Sequence, residues 1–262
     1  MVETSGNQPH KDTLAFNPDP AWDAGKVQVT TVDVSQWEEE SNKYAKVLTN
    51  ILTQQECNEM IERSENKGYE QALLNTGRGE VLMSDVRNND RCIIDSPQTM
   101  EFIWQRVLLA CKDDEVLLRA AFTGKKLHAV GLNERMRLLR YDPGAFFAPH
   151  GDGSFYRRDG DKRGECSYVT FQLYLNEGFE GGATRIFSIA NEDVYFDVIP
   201  RAGSVLLFQH NMYHEGSLLI KGRKYALRSD VMYTEKGEGH EYATNPVVFN
   251  DHIDKYSTPE KA

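Results

Sequence analysis

From Leu132 to Tyr233 the apolar residues fall in short runs, each closed by turn residues. MRLLRY is followed by DPG, SYVTFQLYLN by EGFEGG, VYFDVI by PRAG, SVLLFQ by HN and SLLI by KG, with RKYALRSDVMY last. Many short strands at this spacing, punctuated by Gly and Pro, predict an antiparallel sandwich or barrel. The preceding third has a different period. AKVLTNIL, just after Tyr44, reads as a strand. Thr53 then offers an N-cap, and Glu56 three residues later completes a capping box. Behind it Cys57, Met60 and Ile61 form a helical apolar stripe that stops near Gly68. A second helix is expected where Ser96 caps, Pro97 takes the first helical position, and Ile103, Trp104, Val107, Leu108 and Cys111 repeat at helical spacing. Residues 115–122 extend or follow it.

These elements imply one domain over residues 36–235, with helical support over 36–130 and a β core over 131–235. Residues 1–35 are polar, with Pro18 and Pro20, and read as a flexible leader. Residues 236–262 are again polar and read as a tail. The formal net charge of the 262 residues is -10, which argues against a general nucleic-acid binder. No apolar run approaches the roughly 20 residues that span a bilayer. MVETSGNQPHKD lacks a charged-then-apolar secretory pattern, so an intracellular home, cytoplasmic or nuclear, is expected. Cys57, Cys92, Cys111 and Cys166 have no CxxC spacing and are expected as reduced, mostly buried thiols.

The chemistry-bearing residues cluster in the β region. In PHGDG, His150 and Asp152 stand two apart, which in a strand puts both on one face about 7 Å apart. Two histidines and a carboxylate make a facial triad suited to non-haem iron(II). The third ligand must come from elsewhere, and both His210 and His214 are available at this level. On the last strand Lys224, Ala226 and Arg228 share one face, and Tyr225 and Leu227 the other. An inward cation there is costly without an anion; an outward one is ordinary surface. Arg228, with its planar fork, could bind a carboxylate bidentately or sit in a surface ion pair. Thr170, Gln172 and Tyr174 share a face more polar than a dry core. Arg87, Asn88, Asn89 and Arg91 form a polar cluster that is either solvated or faces a substrate. Gly181-Gly182 and the Pro200…Gly203 turn read as architectural.

Taken in order, RYDPGAFFAPHGD, YLNEGFEGGATRIF, PRAGSVLLF, HEG and GRKYALR are similar to the prolyl 4-hydroxylase-type branch of the 2-oxoglutarate and iron(II) oxygenase superfamily, over about residues 132–233. LTQQECNEMIE resembles that branch's supporting helix. The resemblance implies an α+β, mainly β, fold with a double-stranded β-helix (jelly-roll) core. It implies Fe(II) held by His150, Asp152 and His214, the histidine before Glu-Gly being chosen over His210. It implies 2-oxoglutarate held by Lys224 and the Tyr141 and Tyr174 hydroxyls near that cosubstrate; Arg228, on the same strand face as Lys224, is the second candidate for the carboxylate, and Thr170 shares Tyr174's face. Ascorbate is the expected reductant. The implied reaction hydroxylates an unactivated C–H bond and releases succinate and carbon dioxide. The default substrate is a prolyl residue in a peptide or protein. The LRSDVMY ending lacks the tryptophan common among collagen-modifying members, so a small-molecule hydroxylase is the alternative. A non-catalytic, cupin-like metal module is the reading from a different class. Asp152 argues against a halogenase.

Overall fold

The structure is a computed structural model that describes residues 17–34, 37, 42–75 and 79–235. The alternating runs form two facing antiparallel sheets. The larger runs in the order Gln28–Thr31, Ala45–Thr49, Val205–Gln209, Cys166–Tyr174, Lys224–Thr234, Arg135–Tyr141, Asp90–Asp95 and Glu70–Gln71, with His128–Leu132 also paired to Lys224–Thr234. The smaller runs Tyr195–Val198, Thr184–Phe187, His214–Gly216 and Phe147–His150. This is the expected mainly-β jelly roll.

The alternation expected for the central strands decides what lies on each side of the larger sheet. Val169, Phe171, Leu173 and Leu227 pack with the helices into the main core, around Trp104, Ile103, Val107 and Cys57. Tyr174 and Ala226 fall in a second cluster on the opposite face. Period-two alternation thus sends the apolar half of each strand to the helices and leaves Thr170, Gln172, Lys224 and Arg228 for the space between the sheets.

Both helices start where their caps predict. Helix Gln54–Lys67 has the reciprocal Thr53–Glu56 capping box. Helix Pro97–Ala110 has Ser96 accepting from the Thr99 amide, with Pro97 at its start. Glu56 is wholly buried, and Arg106 of the second helix pairs with both its oxygens at 2.6 and 2.8 Å while donating to the Ile51 carbonyl. One carboxylate therefore both caps the first helix and ties the second to it. A short helix at Glu115–Arg119 follows.

Part of the expected leader is structured. Gln28–Thr31 pairs with Ala45–Thr49 and extends the larger sheet, because its backbone finds an open strand edge although its side chains are exposed. Residues 1–16, and the tail expected over 236–262, lie outside the described residues. All four cysteines are buried and free, as expected. Among the described residues no helix is long and apolar enough to cross a membrane. The Pro200…Gly203 turn is architectural for a specific reason: Gly203 has φ +73°, and a Cβ there would lie 2.0 Å from the Leu52 carbonyl oxygen.

Candidate active site

Phe147–His150 and His214–Gly216 pair antiparallel with His214 directly opposite His150. The register alone brings the two imidazoles together, their ring centres 4.2 Å apart. Asp152 is not on the strand. The strand ends at His150, and Asp152 lies in the following loop, pinned by its amide to the His210 carbonyl at 2.8 Å. The expected common face is thus delivered by a tethered loop rather than by a continuous strand.

Asp152 Oδ1 lies 3.8 Å from His150 Nε2, and Oδ2 lies 3.8 Å from His214 Nε2. One ligand atom from each of the three falls within 4.8 Å of the others, a spacing that fits a single cation. The donor chemistry fits as well. His150 Nδ1 donates to the Ala148 carbonyl at 2.8 Å and His214 Nδ1 to the Met212 carbonyl at 3.0 Å. Each bond fixes the tautomer and leaves an Nε2 lone pair facing the other ligands. Burial and the neighbouring His214 push His150 down to about 4, so it is a neutral ligand at ordinary pH. For Asp152 burial alone would raise the pKa. Arg228 at 3.1 Å, the two histidines and the Thr170 hydroxyl, donating at 2.5 Å, outweigh burial and hold it well below the usual carboxylate range. Two nitrogens, one carboxylate and an open side suit iron(II).

His210, the rival ligand, is buried with both nitrogens engaged, Nδ1 at 2.9 Å from Thr170 Oγ1 and Nε2 at 2.8 Å from Ser167 Oγ. Because the Thr170 hydroxyl donates to Asp152, it accepts from His210 Nδ1–H. His210 therefore supports the triad through Thr170 instead of joining it.

The triad opens onto a cavity of about 510 Å³ lined from both sheets. Lys224 projects into it from the larger sheet and is 2% exposed. Its ammonium donates to the Gly182 carbonyl at 2.6 Å and lies 4.9 Å and 5.7 Å from the ring centres of Tyr141 and Tyr174. Among the described residues it has no carboxylate partner, and burial pushes its pKa down to about 7. Arg228 is placed differently. It lies between Asp152 and Asp230, at 3.1 and 3.2 Å, so its charge is already matched. Tyr141 is buried against the cavity, and burial raises its hydroxyl pKa. Tyr174 does not line the cavity. Its hydroxyl donates to Thr184 Oγ1 at 2.8 Å, and Thr184 is the group that reaches the cavity wall.

Several site residues were not assigned a role from sequence. Phe147 stacks on the His150 ring at 3.7 Å and 20°. The Gly182 carbonyl holds Lys224, so the glycine hairpin has more than a turning function. Arg87 lines the cavity rather than facing bulk solvent. The strand parity that placed Gln172 beside Thr170 was the signal for its presence there; for Arg87, on a loop, parity offers none.

The jelly roll thus gathers two histidines and an aspartate at one side of a cavity lined from both sheets. Residues 136–229, which include the triad, Lys224 and Arg228, match the family model described as the 2OG-Fe(II) oxygenase superfamily. Among solved structures, a prolyl-4-hydroxylase from Pseudomonas putida is similar at 21% identity and TM-score 0.51, over 74% of this chain and 95% of that one. A prolyl hydroxylase from Trichoplax adhaerens, in complex with a hypoxia inducible factor oxygen degradation domain peptide fragment, is similar at 17% identity and TM-score 0.50, over 74% and 85%. At these identities the likeness is one of fold. No curated protein matches the chain significantly.

Proposed function

We propose that this protein is a 2-oxoglutarate- and Fe(II)-dependent dioxygenase that hydroxylates an unactivated C–H bond of a prolyl residue in a peptide or protein, with release of succinate and carbon dioxide. The observation that carries this reading is Lys224. A fully buried ammonium without a carboxylate is costly, and it faces the same cavity as three converging metal-ligand atoms. A dicarboxylic acid that chelates the ion at one end and meets Lys224 at the other satisfies both. A non-catalytic scaffold has no use for such a cation.

Iron(II) on the triad would supply oxygen activation coupled to decarboxylation of the 2-oxo acid. The chain's own residues do the rest. His150, Asp152 and His214 would hold the ion, and their backbone, Arg228 and Thr170 bonds keep them in place. Lys224 neutralises the far carboxylate of 2-oxoglutarate, and the buried Tyr141 beside it keeps that end of the cavity dry. The prolyl substrate is supported by the fold shared with the two prolyl hydroxylases, one of them holding a peptide. Ascorbate serves as reductant, and four buried free thiols suit a reducing, intracellular setting.

Anaerobic addition of Fe(II) and 2-oxoglutarate should give a weak visible charge-transfer band, and prolyl peptides should raise succinate release in air. Absence of the band would overturn the oxygenase reading. A band together with stimulation by free amino acids but by no prolyl peptide would leave the oxygenase and remove the prolyl substrate.

A further inference from the structure

The cavity holds more positive charge than a metal and a cosubstrate require. Lys224, Arg87, Arg137 and Arg228 all line it. The carboxylates paired with them among the described residues are Asp152 and Asp230, with Arg228 between the two and Arg137 3.5 Å from the second. Arg91 and Glu80 also line the wall but cancel one another through bonds of 2.7 and 2.8 Å. Glu215 also lines the wall; it stands opposite Arg185 in the register and accepts from the Ser217 hydroxyl at 2.8 Å. Arg137 and Arg228 are directly opposed across neighbouring strands, a like-charge pairing that costs stability. A divalent ion adds two positive charges and 2-oxoglutarate returns two negative ones, so the surplus persists in the loaded site.

Arg87 is the arginine of this group with no carboxylate among the described residues. Its Nε donates to Asn89 Oδ1 at 2.7 Å, which fixes the guanidinium and leaves both terminal nitrogens without a hydrogen-bond partner among the described residues. Its guanidinium carbon lies 4.5 Å from the centre of the Phe147 ring, which stacks in turn on His150. The stack sets Arg87 one ring away from a metal ligand. Lys224 serves a different anion from the arginine end. It stands four residues from Arg228 on one strand face, about 13 Å by strand rise, whereas a five-carbon diacid spans only ~5 Å between its carboxyl carbons.

We infer that the primary substrate carries a carboxylate, and that Arg87 receives it above the metal face of the cavity. This rests on the oxygenase reading of the site and names its substrate class. The carboxylate is either an acidic side chain beside the target residue of a peptide or the free acid group of a small molecule. The shared chemistry is a planar anion on a preorganised guanidinium.

The test uses the Fe(II)-loaded full chain and two sets of matched probes: N-acetyl-proline against N-acetyl-prolinamide, and end-blocked prolyl peptides with Asp against Asn beside the proline. Succinate formed above the probe-free rate is measured for wild type, Arg87→Gln and Arg87→Lys. A charge-assisted bond contributes about 1.5–3 kcal/mol, so in at least one set the acid should exceed its amide by about tenfold or more in kcat/KM. That preference should fall below about threefold in Arg87→Gln and return in part with Arg87→Lys, while all three proteins still give the anaerobic 2-oxoglutarate band. The set that responds identifies the source of the carboxylate. If neither set prefers the acid, or if Arg87→Gln keeps the preference, the inference is wrong. Loss of the band in wild type would instead remove the oxygenase reading beneath it.

Discussion

Replacing Lys224 with Met should change stability and cosubstrate affinity in opposite directions. Without cosubstrate the wild-type protein carries a buried ammonium held by one carbonyl and two aromatic faces. Its pKa falls from 10.5 to about 7. The unfolded chain, with the ordinary pKa, therefore binds more protons than the folded one between these values, and stability rises with pH across that window. At about 1.36 kcal/mol per unit, this group should add about 2 kcal/mol between pH 7 and pH 9. Lys224→Met lacks it, so the difference in unfolding free energy between the two metal-free proteins should shrink by that amount over the same range. At pH 7 the variant should be the more stable, by about 1–4 kcal/mol, the gain seen when apolar groups replace buried charges. With Fe(II) present, 2-oxoglutarate should bind the variant more weakly by about 2–4 kcal/mol, a loss of about 30- to 1000-fold. Urea denaturation at several pH values gives the first quantity and anaerobic titration of the visible band the second. A variant that is less stable at pH 7, follows the wild-type pH dependence and binds 2-oxoglutarate within about threefold of wild type would refute the assignment of a buried, unpaired cation; Lys224→Arg, which keeps the charge, controls for packing.

Three further outcomes follow from particular contacts. His214→Ala should abolish stoichiometric Fe(II) binding and turnover, whereas His210→Gln should keep both with affinity about tenfold weaker, the usual cost of losing a support behind a ligand; metal content and succinate release check this, and the reverse ranking would transfer the ligand role to His210. Arg106→Leu, which strands the fully buried Glu56, should cost about 3–5 kcal/mol in urea denaturation, against about 1 kcal/mol for the cap alone in Thr53→Ala; equal losses would mean that the pair contributes nothing beyond the cap. Gly203→Ala should cost more than about 3 kcal/mol, since it combines a positive φ with a Cβ inside the Leu52 carbonyl, and a thermal midpoint unchanged from wild type would contradict the geometry of that turn.

The parts of this molecule that could be read from sequence are those where a local rule and the tertiary structure agree. Thr53, Glu56, Ser96 and Pro97 marked helix starts because caps act within four residues. The parity of Lys224, Ala226 and Arg228 survived because the strand runs unbroken from Lys224 to Thr234. His150 and Asp152 converge as expected, yet by a route that spacing could not reveal: the strand ends between them, and a backbone bond to the distant His210 restores the geometry. Arg228 could be placed on the inner face but not assigned a partner, because Asp152 reaches it from the loop that follows Phe147–His150. Tyr174 was expected to present a hydroxyl to the cosubstrate, and a single neighbour, Thr184, takes that hydroxyl. The strand at Gln28–Thr31 escaped detection since its side chains are exposed and carry no apolar alternation. Arg87 lies in a loop, where no periodicity forecasts direction.

The backbone bonds that fix both imidazole rings have a further consequence for which ion the protein ends up carrying. The Nδ1 bonds to the Ala148 and Met212 carbonyls come from the backbone alone, so they orient both rings in the same way whichever small divalent ion is offered. Nitrogen donors favour cobalt, nickel and copper over iron(II) in simple affinity order. Bonds that fix only ring orientation do not discriminate among these ions. Loading with the right metal is therefore governed by supply, and protein purified from metal-rich media should arrive partly occupied by inert competitors and regain activity after chelation and reloading with ferrous iron.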